Sequence, residues 1–338
     1  MGVIPGVPST ILVAPDSFKG TLTAVEVAAA IGHGLERGGC PIDLCPVADG
    51  GEGTLAALQA ALGGETLDAS VSDPLGRAAR AQFALADRVA VAEMAAASGL
   101  GLVAPRERDP VGASTTGTGE LILEAVRAGA KTVLLGVGGS ATTDGGKGAV
   151  EAIERGGGLG GARLLVLCDV RTPFEDAARV FAPQKGAGPS EVRRLTARLH
   201  SIAHSLPRDP RGVPMTGAAG GLAGGLWAAL DAELVPGSSY VLDAVGFDAR
   251  LHAARAVVTG EGKLDQQSLA GKVVSEVATR ARQLGVPCHA IVGTRELDGF
   301  GARVLDLQAV LEASTPDELE RAGERLAQWA NALRFSGT

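Results

Sequence analysis

The strongest constraint on the fold is an alternation along nearly the whole chain. Short apolar runs typical of strands alternate with amphipathic stretches typical of helices. Such alternation predicts an α/β protein with largely parallel sheets. The clearest predicted strands are 10–14, 132–137, 163–170, 256–259 and 288–292. The clearest predicted helices are 54–62, 120–128, 191–205, 222–230 and 272–284.

The length favours two domains over one. A chain of 338 residues that is 46% hydrophobic exceeds the roughly 250–300 residues at which a single core stops growing. Residues 66–93 interrupt the alternation with strand-like segments around a Pro-Leu-Gly turn at 74–76. We therefore expect an antiparallel excursion there, and with it a candidate domain boundary.

Composition excludes some classes of partner. Aromatic residues are only 3% of the chain and the net charge is −7, whereas nucleic-acid binding needs a basic surface and often aromatic stacking. The N-terminus lacks the basic region of a secretory signal, and no uncharged run reads as a membrane helix. The four cysteines show no Cys-x-x-Cys spacing. We expect a cytoplasmic protein with reduced thiols, no nucleic-acid partner and no membrane partner.

Glycine-rich segments follow several predicted strands. In open parallel sheets, ligands bind beyond the carboxyl ends of strands, where glycine allows close approach and backbone N–H groups can hold anions. Five of the six lysines of the chain lie beside a glycine, which adds a cation to several of these segments. The predicted loops that combine glycine with acids or hydroxyls are 14–21, 48–54, 136–146, 216–222 and 259–265.

Two known nucleotide-binding motifs can be tested against these loops. Residues 136–141 formally satisfy G-x-G-x-x-A, which makes an NAD-dependent 2-hydroxy-acid oxidoreductase one alternative. The Thr-Thr-Asp-Gly-Gly run at 142–146 follows, however, where that motif requires a helix. The Walker pattern fails because Gly148 stands where Ser or Thr is needed. Phosphoryl transfer suits glycine loops, lysines and strand-end carboxylates best, since its transition state is highly charged.

The order of these loops and their amino-acid sequences resemble those of the bacterial class I glycerate kinase family. The motifs that carry the resemblance include ILVAPDSFKGTLTAVEVA (11–28), PVADGGEGT (46–54), GVGGSATTDGG (136–146), CDV (168–170), FAPQKGA (181–187) and VVTGEGKLDQQSLAGK (257–272). This resemblance implies an ATP- and Mg²⁺-dependent kinase that converts D-glycerate to 2-phosphoglycerate, with the 3-phosphate as the open alternative. It also implies two α/β domains with an interdomain cleft, the first from 1–65 with 255–338 and the second from 66–254.

The resemblance also suggests roles for individual residues. Lys19 would bridge the transferred phosphate, with Asp16 and Ser17 beside it, or else it caps a turn. Asp169 would orient or deprotonate the glycerate hydroxyl, or else it caps a helix. Residues expected to hold the substrate are Ser17, Asp49, Gly50, Gly51 and Lys185; those expected to cradle phosphates are Gly138, Gly139, Ser140 and Gly145, with Asp144 near the metal.

Some features leave alternatives open. Glu261 and Asp265 either face a ligand or shape the Thr-Gly-Glu-Gly turn. The stretch between Gly148 and Cys168 is shorter than the family pattern, so a non-catalytic sensor of a sugar acid or nucleotide is a second alternative. The apolar stripe of Leu319, Ala322, Leu326, Trp329 and Leu333 reads as core or as a dimer seam, so we expect a monomer or a homodimer.

Overall fold

The computed structural model describes residues 10–332. The strands are β1 (Thr10–Pro15), β2 (Ile42–Leu44), β3 (Glu65–Ser72), β4 (Ala78–Ala86), β5 (Val89–Glu93), β6 (Thr132–Gly136), β7 (Arg163–Leu167), β8 (Glu233–Val235), β9 (Ala254–Leu264), β10 (Cys288–Arg295) and β11 (Leu307–Glu312). The helices are α1 (Ala24–Arg37), α2 (Thr54–Leu62), α3 (Ala95–Ser98), α4 (Thr116–Arg127), α5 (Lys147–Arg155), α6 (Ala177–Phe181), α7 (Pro189–Ser205), α8 (Leu222–Leu230), α9 (Gly237–Ala244), α10 (Phe247–His252), α11 (Val273–Leu284), α12 (Gly299–Val304) and α13 (Pro316–Ala332). Short 3₁₀ turns occupy Leu100–Leu102, Pro105–Glu107, Phe174–Asp176, Pro183–Lys185, Ala218–Gly221 and Gln266–Ala270.

The described chain forms two compact units. The first contains the described residues of 1–49 and 241–338, and the second contains residues 50–240. The first unit has a five-stranded sheet of order β11-β10-β9-β1-β2 in which every pairing is parallel. The second has a six-stranded sheet of order β3-β4-β5-β6-β7-β8. The predicted α/β fold class is therefore confirmed; the domain limits expected from sequence stay a prediction.

In the first unit, α1 and α13 pack against one face of the parallel sheet. Helix α1 begins as the sequence indicates: Glu26 N–H donates to Thr23 Oγ1 at 3.2 Å, and Thr23 N–H donates to the Glu26 carboxylate at 2.8 Å. This reciprocal pair satisfies two backbone donors that a helix start leaves unpaired. Apolar side chains of both helices form one core with those of the strands: Val27, Ile31, Leu35, Leu319, Ala322, Leu326, Ile11, Val13, Val258 and Ile291.

The tail stripe is only partly core. Leu319, Ala322 and Leu326 are buried in the core of the first unit, but Trp329 is 44% exposed and lies outside that core. Leu333, the last residue of the predicted stripe, lies outside the described residues.

In the second unit, the predicted antiparallel excursion is present. Strands β3, β4 and β5 pair antiparallel, and β5 through β8 continue in parallel. The shortened stretch after Gly148 forms α5 and a glycine-rich turn, and it leads directly into β7 beside β6. The shortening therefore leaves a complete strand–helix–strand connection.

Some predicted boundaries are wrong. Strand β9 continues to Leu264, so the segment 259–265, expected as a loop, lies almost wholly in a strand. Helix α4 starts at Thr116 instead of 120, and β7 stops at Leu167 instead of 170. Strands β8 and β11 and the short helices α9, α10 and α12 were not predicted, because elements this short carry little periodicity.

Across residues 10–332, none of the helices combines the length and apolar character that crossing a membrane requires. Cys40, Cys45, Cys168 and Cys288 are all buried and unbridged.

The approach of α1 to α13 requires glycine. A Cβ atom at Gly34 would lie 1.9 Å from the carbonyl oxygen of Glu320, and one at Gly323 would lie 2.4 Å from that of Ile31. Neither position tolerates a side chain unless a helix moves.

We expect Gly34→Ala to lower the free energy of unfolding by about 1–3 kcal/mol, the usual cost of overpacking, even though alanine favours a helix by about 1 kcal/mol over glycine. Gly299→Ala in α12 is the matched control, since a Cβ there meets nothing within 4 Å. Urea denaturation of both variants measures the difference. An unchanged midpoint for Gly34→Ala would contradict the close packing of α1 on α13.

Candidate active site

In the first unit, a lysine and three carboxylates gather beyond the end of β1. This lysine–carboxylate cluster comprises Asp16, Lys19, Asp49 and Glu261, with Ser17 beside Asp16. Pro15 of β1 pairs with Gly260 of β9, and Asp16 N–H donates to the Gly260 carbonyl at 2.8 Å. The register therefore puts Asp16 next to Glu261.

Lys19 and Asp49 form an ion pair within this cluster. The Lys19 Nζ atom lies 2.8 Å from Asp49 Oδ2. The Asp49 side chain is only 10% exposed, while that of Lys19 is 54% exposed. The carboxylate thus anchors an ammonium group that still reaches solvent.

Glycines pack Glu261 between neighbouring backbones. A Cβ at Gly260 would lie 2.2 Å from the Ile291 carbonyl oxygen of β10, and one at Gly262 would lie 3.3 Å from Phe18 Cα. The sequence suggested a turn because glycine is the usual turn residue. Here the glycines serve close strand packing instead, which corrects the predicted loop and presses Glu261 against the Asp-Ser-Phe-Lys segment.

The electrostatics of the cluster are unusual. Burial raises the pKa of Asp16 well above its ordinary value, and the charge of Asp49 raises it further. Burial also raises the pKa of Glu261 to about 7, despite a hydrogen bond from Ser268 and the nearby Lys272. Partial desolvation lowers the pKa of Lys19, but Asp49 and Asp16 outweigh it, so the net shift is upward. The lysine therefore stays charged at neutral pH, whereas burial disfavours the charged form of the Asp16 and Glu261 carboxyl groups.

Two buried polar atoms of the cluster have no partner among the described protein atoms. They are Ser17 Oγ and Glu261 Oε1, in residues that are 2% and 6% exposed. Buried polar groups are nearly always hydrogen-bonded, so such atoms call for an explanation. At the end of a strand, the simplest explanation is a bound ligand or ion that contacts these two atoms.

In the second unit, the loop before α2 packs closely against the ends of β6 and β7. A Cβ at Gly50 would lie 2.5 Å from the Leu167 carbonyl oxygen, and one at Gly138 would lie 2.4 Å from Gly51 Cα. The Gly138 N–H donates to the Gly50 carbonyl at 3.2 Å. These glycines are therefore required by loop–loop packing, whatever else they do.

The 136–146 loop has an exposed crest and a buried base. Gly139 is exposed and Ser140 half-buried, whereas residues 141–146 are buried. The Gly145 N–H donates to the Gly220 carbonyl at 3.1 Å. The Gly145 N–H is thus used within the protein, and the phosphate-binding role expected for Gly145 stays a prediction. The crest, Gly138 to Ser140, stays the candidate phosphate contact.

Asp144 is the anchor of this loop. Its carboxylate accepts the N–H and the Oγ1–H of Thr115, both at 2.8 Å, and the N–H groups of Gly146 and Gly148, both at 3.2 Å. It thereby ties the loop to the starts of α4 and α5. Both carboxylate oxygens therefore accept hydrogen bonds from the protein, and the metal role expected for Asp144 stays a prediction.

Lys185 also holds the loop, from the other side. Its side chain is buried, and its Nζ donates to Ser140 Oγ at 2.7 Å and to the Thr142 carbonyl oxygen. Burial lowers the pKa of Lys185 to about 7, although Asp144 opposes the shift. The expected substrate-binding lysine therefore contacts the protein and supports the crest of the loop.

Asp169 follows β7 and is half-buried. Its carboxylate accepts the Ser238 N–H, at 3.2 Å to Oδ1 and 3.1 Å to Oδ2, near the start of α9. This contact matches the helix-capping alternative, and the role toward the glycerate hydroxyl stays a prediction. Sequence reasoning left Glu261 undecided; the Thr-Gly-Glu-Gly motif was the signal that could have found it.

These two units, with functional groups gathered at strand ends, define an α/β enzyme of the kind that binds small ligands beyond its sheets. Residues 11–156 and 157–334 match the family described as "Glycerate kinase family". The chain belongs to the glycerate kinase family, whose members are phosphotransferases.

Individual relatives that the chain resembles also carry the name glycerate kinase. The chain is 40% identical over 325 residues to the glycerate kinase of Halalkalibacterium halodurans, covering 85% of this chain and 86% of that protein. It is 39% identical over 323 residues to the glycerate 2-kinase of Escherichia coli, covering 84% and 85%. A crystal structure from Salmonella typhimurium LT2, provisionally assigned as glycerate kinase 2, superposes with a TM-score of 0.80 at 34% identity, covering 97% of this chain and all of that one.

The buried Lys185 predicts a pH-dependent stability. Between pH 7 and 10.5 the unfolded lysine binds a proton that the folded one has lost, so this residue makes stability rise with pH across that window. The other charged groups near Lys185 are Arg108 and Asp109, which line a small pocket together with it, and Asp144. The free energy of unfolding of the parent protein, relative to Lys185→Met, should increase by about 2 kcal/mol from pH 7 to pH 9.

Denaturant unfolding of both proteins at several pH values measures this difference. Lys131→Met, at an exposed position of the same unit, reports what the replacement does at the surface. A difference between parent and Lys185→Met that does not change with pH would show that Lys185 is not desolvated as described.

Proposed function

We propose that this protein transfers the γ-phosphoryl group of ATP to the 2-hydroxyl of D-glycerate, which gives 2-phosphoglycerate and ADP. The observation that carries the proposal is the lysine–carboxylate cluster in a chain of the glycerate kinase family. A charged, half-exposed Lys19 is anchored by Asp49 beside two buried carboxyls and two unpartnered polar atoms. The choice of the 2-hydroxyl is supported by the name of the Escherichia coli relative.

Lys19 neutralises charge on the transferred phosphoryl group in this proposal. The transition state of phosphoryl transfer is loose, with negative charge spread over the equatorial oxygens, so a fixed cation lowers its free energy. Asp49 holds the Lys19 ammonium in place through the 2.8 Å contact and keeps it protonated. Asp49 therefore acts on the substrate through Lys19.

The residues of the cluster also fit Mg²⁺. This ion prefers oxygen ligands and is usually held by one or two carboxylates together with substrate phosphates and water. The buried Asp16 carboxyl and the unpartnered Ser17 hydroxyl supply such oxygens. When bound, Mg²⁺ would neutralise charge on the phosphate oxygens. Within residues 10–332 no three His, Cys, Asp or Glu side chains are arranged for a metal, so nucleotide phosphates would supply the remaining ligands.

The second unit carries a candidate phosphate-binding loop of its own. Backbone N–H groups near the exposed crest at Gly139 and Ser140 are the candidate donors to ATP phosphates, as nests of N–H groups are in other proteins. Lys185 and Asp144 fix that crest from below. Gly50 and Gly51 support it through the contact with Gly138, and Asp169 stays the candidate for orienting the hydroxyl.

We expect Lys19→Ala to reduce kcat for glycerate-dependent ADP release by about 10²–10³-fold, the usual cost of removing one transition-state charge contact. Lys263→Ala is the matched control. Lys263 is 51% exposed and pairs with Glu296 at 2.8 Å in the same unit, which reproduces the exposure and ion pair of Lys19 without the buried carboxyls. A coupled assay with ATP, Mg²⁺ and D-glycerate makes the comparison. Equal loss in both variants would remove Lys19 from the proposed site.

The position of the new phosphate should be the 2-hydroxyl. Phosphorus–proton couplings in the NMR spectrum of the product distinguish a phosphate on C2 from one on C3. Direct consumption of the product by enolase, with no mutase added, gives the same information. A product that enolase accepts only after mutase treatment would overturn the 2-position, and reduction of NAD⁺ by glycerate would overturn the kinase assignment.

A further inference from the structure

A small pocket in the second unit lies beside the crest of the candidate phosphate-binding loop. Ala141 of that loop lines the pocket, together with Leu100, whose N–H donates to the Gly139 carbonyl at 2.8 Å. Lys185 lines it as well and donates to Ser140 Oγ at 2.7 Å. A molecule in this pocket would therefore lie next to the backbone groups expected to contact ATP phosphates.

The pocket has apolar walls and a charged mouth. Leu75, Val103 and Ala113 contribute to the walls, and Arg108 and Asp109, which are exposed, line it at the surface. The space between these side chains is about 190 Å³, part of which is open to solvent. Pockets for drug-sized ligands are larger, roughly 300–1,000 Å³. The pocket therefore suits a small molecule that enters from the surface, and a nucleotide is too large for it.

The Arg108 guanidinium has no hydrogen bond or ion pair with any residue that the structure describes. The acid before it, Glu107, lies 3.4 Å from Arg77 Nη1. The acid after it, Asp109, uses its Oδ1 atom to accept two backbone N–H groups of the following turn, at 3.1 and 2.8 Å. Both neighbouring carboxylates thus have other partners, and the five donors of the guanidinium are available to a ligand.

The segment that carries Lys185 also contacts Arg108. A Cβ atom at Gly186 would lie 3.7 Å from Arg108 Cβ and 4.0 Å from Arg108 Cδ. The aliphatic part of Arg108 therefore packs beside the residue that follows Lys185. Two cations and one carboxylate, Asp109, line the pocket. This balance of charge favours an anionic ligand.

We propose that this pocket binds D-glycerate, and that the Arg108 guanidinium holds the glycerate carboxylate and so selects an acid as the substrate. This inference rests on the proposed kinase function. A guanidinium pairs with a carboxylate through two parallel hydrogen bonds, and an apolar surrounding strengthens them. Held by its carboxylate, glycerate presents its hydroxyls next to the crest at Gly139 and Ser140. Arg108 is then a specificity-determining residue that takes no part in the transfer itself.

The test compares the parent protein with Arg108→Ala in the ADP-release assay, with D-glycerate and with D-glyceramide, its uncharged amide. Arg108→Ala should raise the KM for glycerate by about 10–100-fold, as expected for the loss of a hydrogen-bonded charge pair. The KM for ATP and kcat should change little. The parent should prefer glycerate over glyceramide in kcat/KM, and Arg108→Ala should lose most of that preference, because the amide gains nothing from the charge.

A conservative variant and a direct binding measurement refine this test. Arg108→Lys should recover only part of the affinity, since an ammonium keeps the charge but lacks the planar pair of donors. Isothermal titration calorimetry with D-glycerate should show the same order of affinities: parent, then Arg108→Lys, then Arg108→Ala. Thermal unfolding should be the same in all three proteins, because Arg108 is exposed and makes no ion pair with a described residue.

Arg106→Ala is the matched control. Arg106 is an exposed arginine of the neighbouring 3₁₀ turn, Pro105–Glu107, and it is not among the residues described as lining the pocket. This substitution removes the same charge from the same surface. It should leave both KM values and the preference for glycerate over glyceramide unchanged.

Several results would overturn the inference. An unchanged KM for glycerate in Arg108→Ala, or an unchanged preference for the acid over the amide, would remove Arg108 from the substrate site. A rise in the KM for ATP alone would assign the guanidinium to the nucleotide phosphates. A parent protein without glycerate-dependent ADP release would overturn the proposed function itself, whereas a parent that turns over alongside an unaffected Arg108→Ala would overturn the pocket assignment alone.

Discussion

The close approach of one backbone to another at the strand ends is the constraint on which the candidate site depends. Gly260 lies against the Ile291 carbonyl, Gly50 against that of Leu167, and Gly138 against Gly51. A Cβ at any of these positions would overlap a neighbouring main-chain atom, so only glycine allows the loops to meet. At Gly260 this packing also shapes the candidate site, because the adjacent Glu261 carboxyl is buried and its pKa is raised by that burial.

Burying charge in this way costs stability, and the surrounding structure must offset it. The parallel pairing of β1 with β9 places Asp16, which follows β1, beside Glu261 of β9, and both carboxyl groups are buried there. In the second unit, Asp144 satisfies four donors and so pins the loop whose crest remains exposed. Rigid support beneath reactive or ligand-facing groups is what preorganised catalysis requires.

Local signals made much of the fold predictable. The capping box at Thr23 and Glu26 and the helix Thr54–Leu62 follow from residues within one or two turns of each other. The site was less predictable, since its contacts join distant residues: Asp144 meets a threonine 29 positions away, and Lys185 meets a serine 45 positions away. Glycine misled the prediction at β9 because a turn and a close strand contact both favour it, and only the neighbouring chain distinguishes them.

A comparison of Lys19 with Lys185 shows why residue type alone does not determine the role of a side chain. Lys19 and Lys185 each precede a glycine, and both were expected to meet the substrate or its phosphate. Lys19 is half-exposed among carboxylates, which hold its charge and leave it able to reach a ligand. Lys185 is buried against a hydroxyl and a carbonyl of the 136–146 loop, where desolvation lowers its pKa and two hydrogen bonds tie it to the loop. The same side chain thus reaches solvent in one unit and supports a loop in the other, and its surroundings decide which.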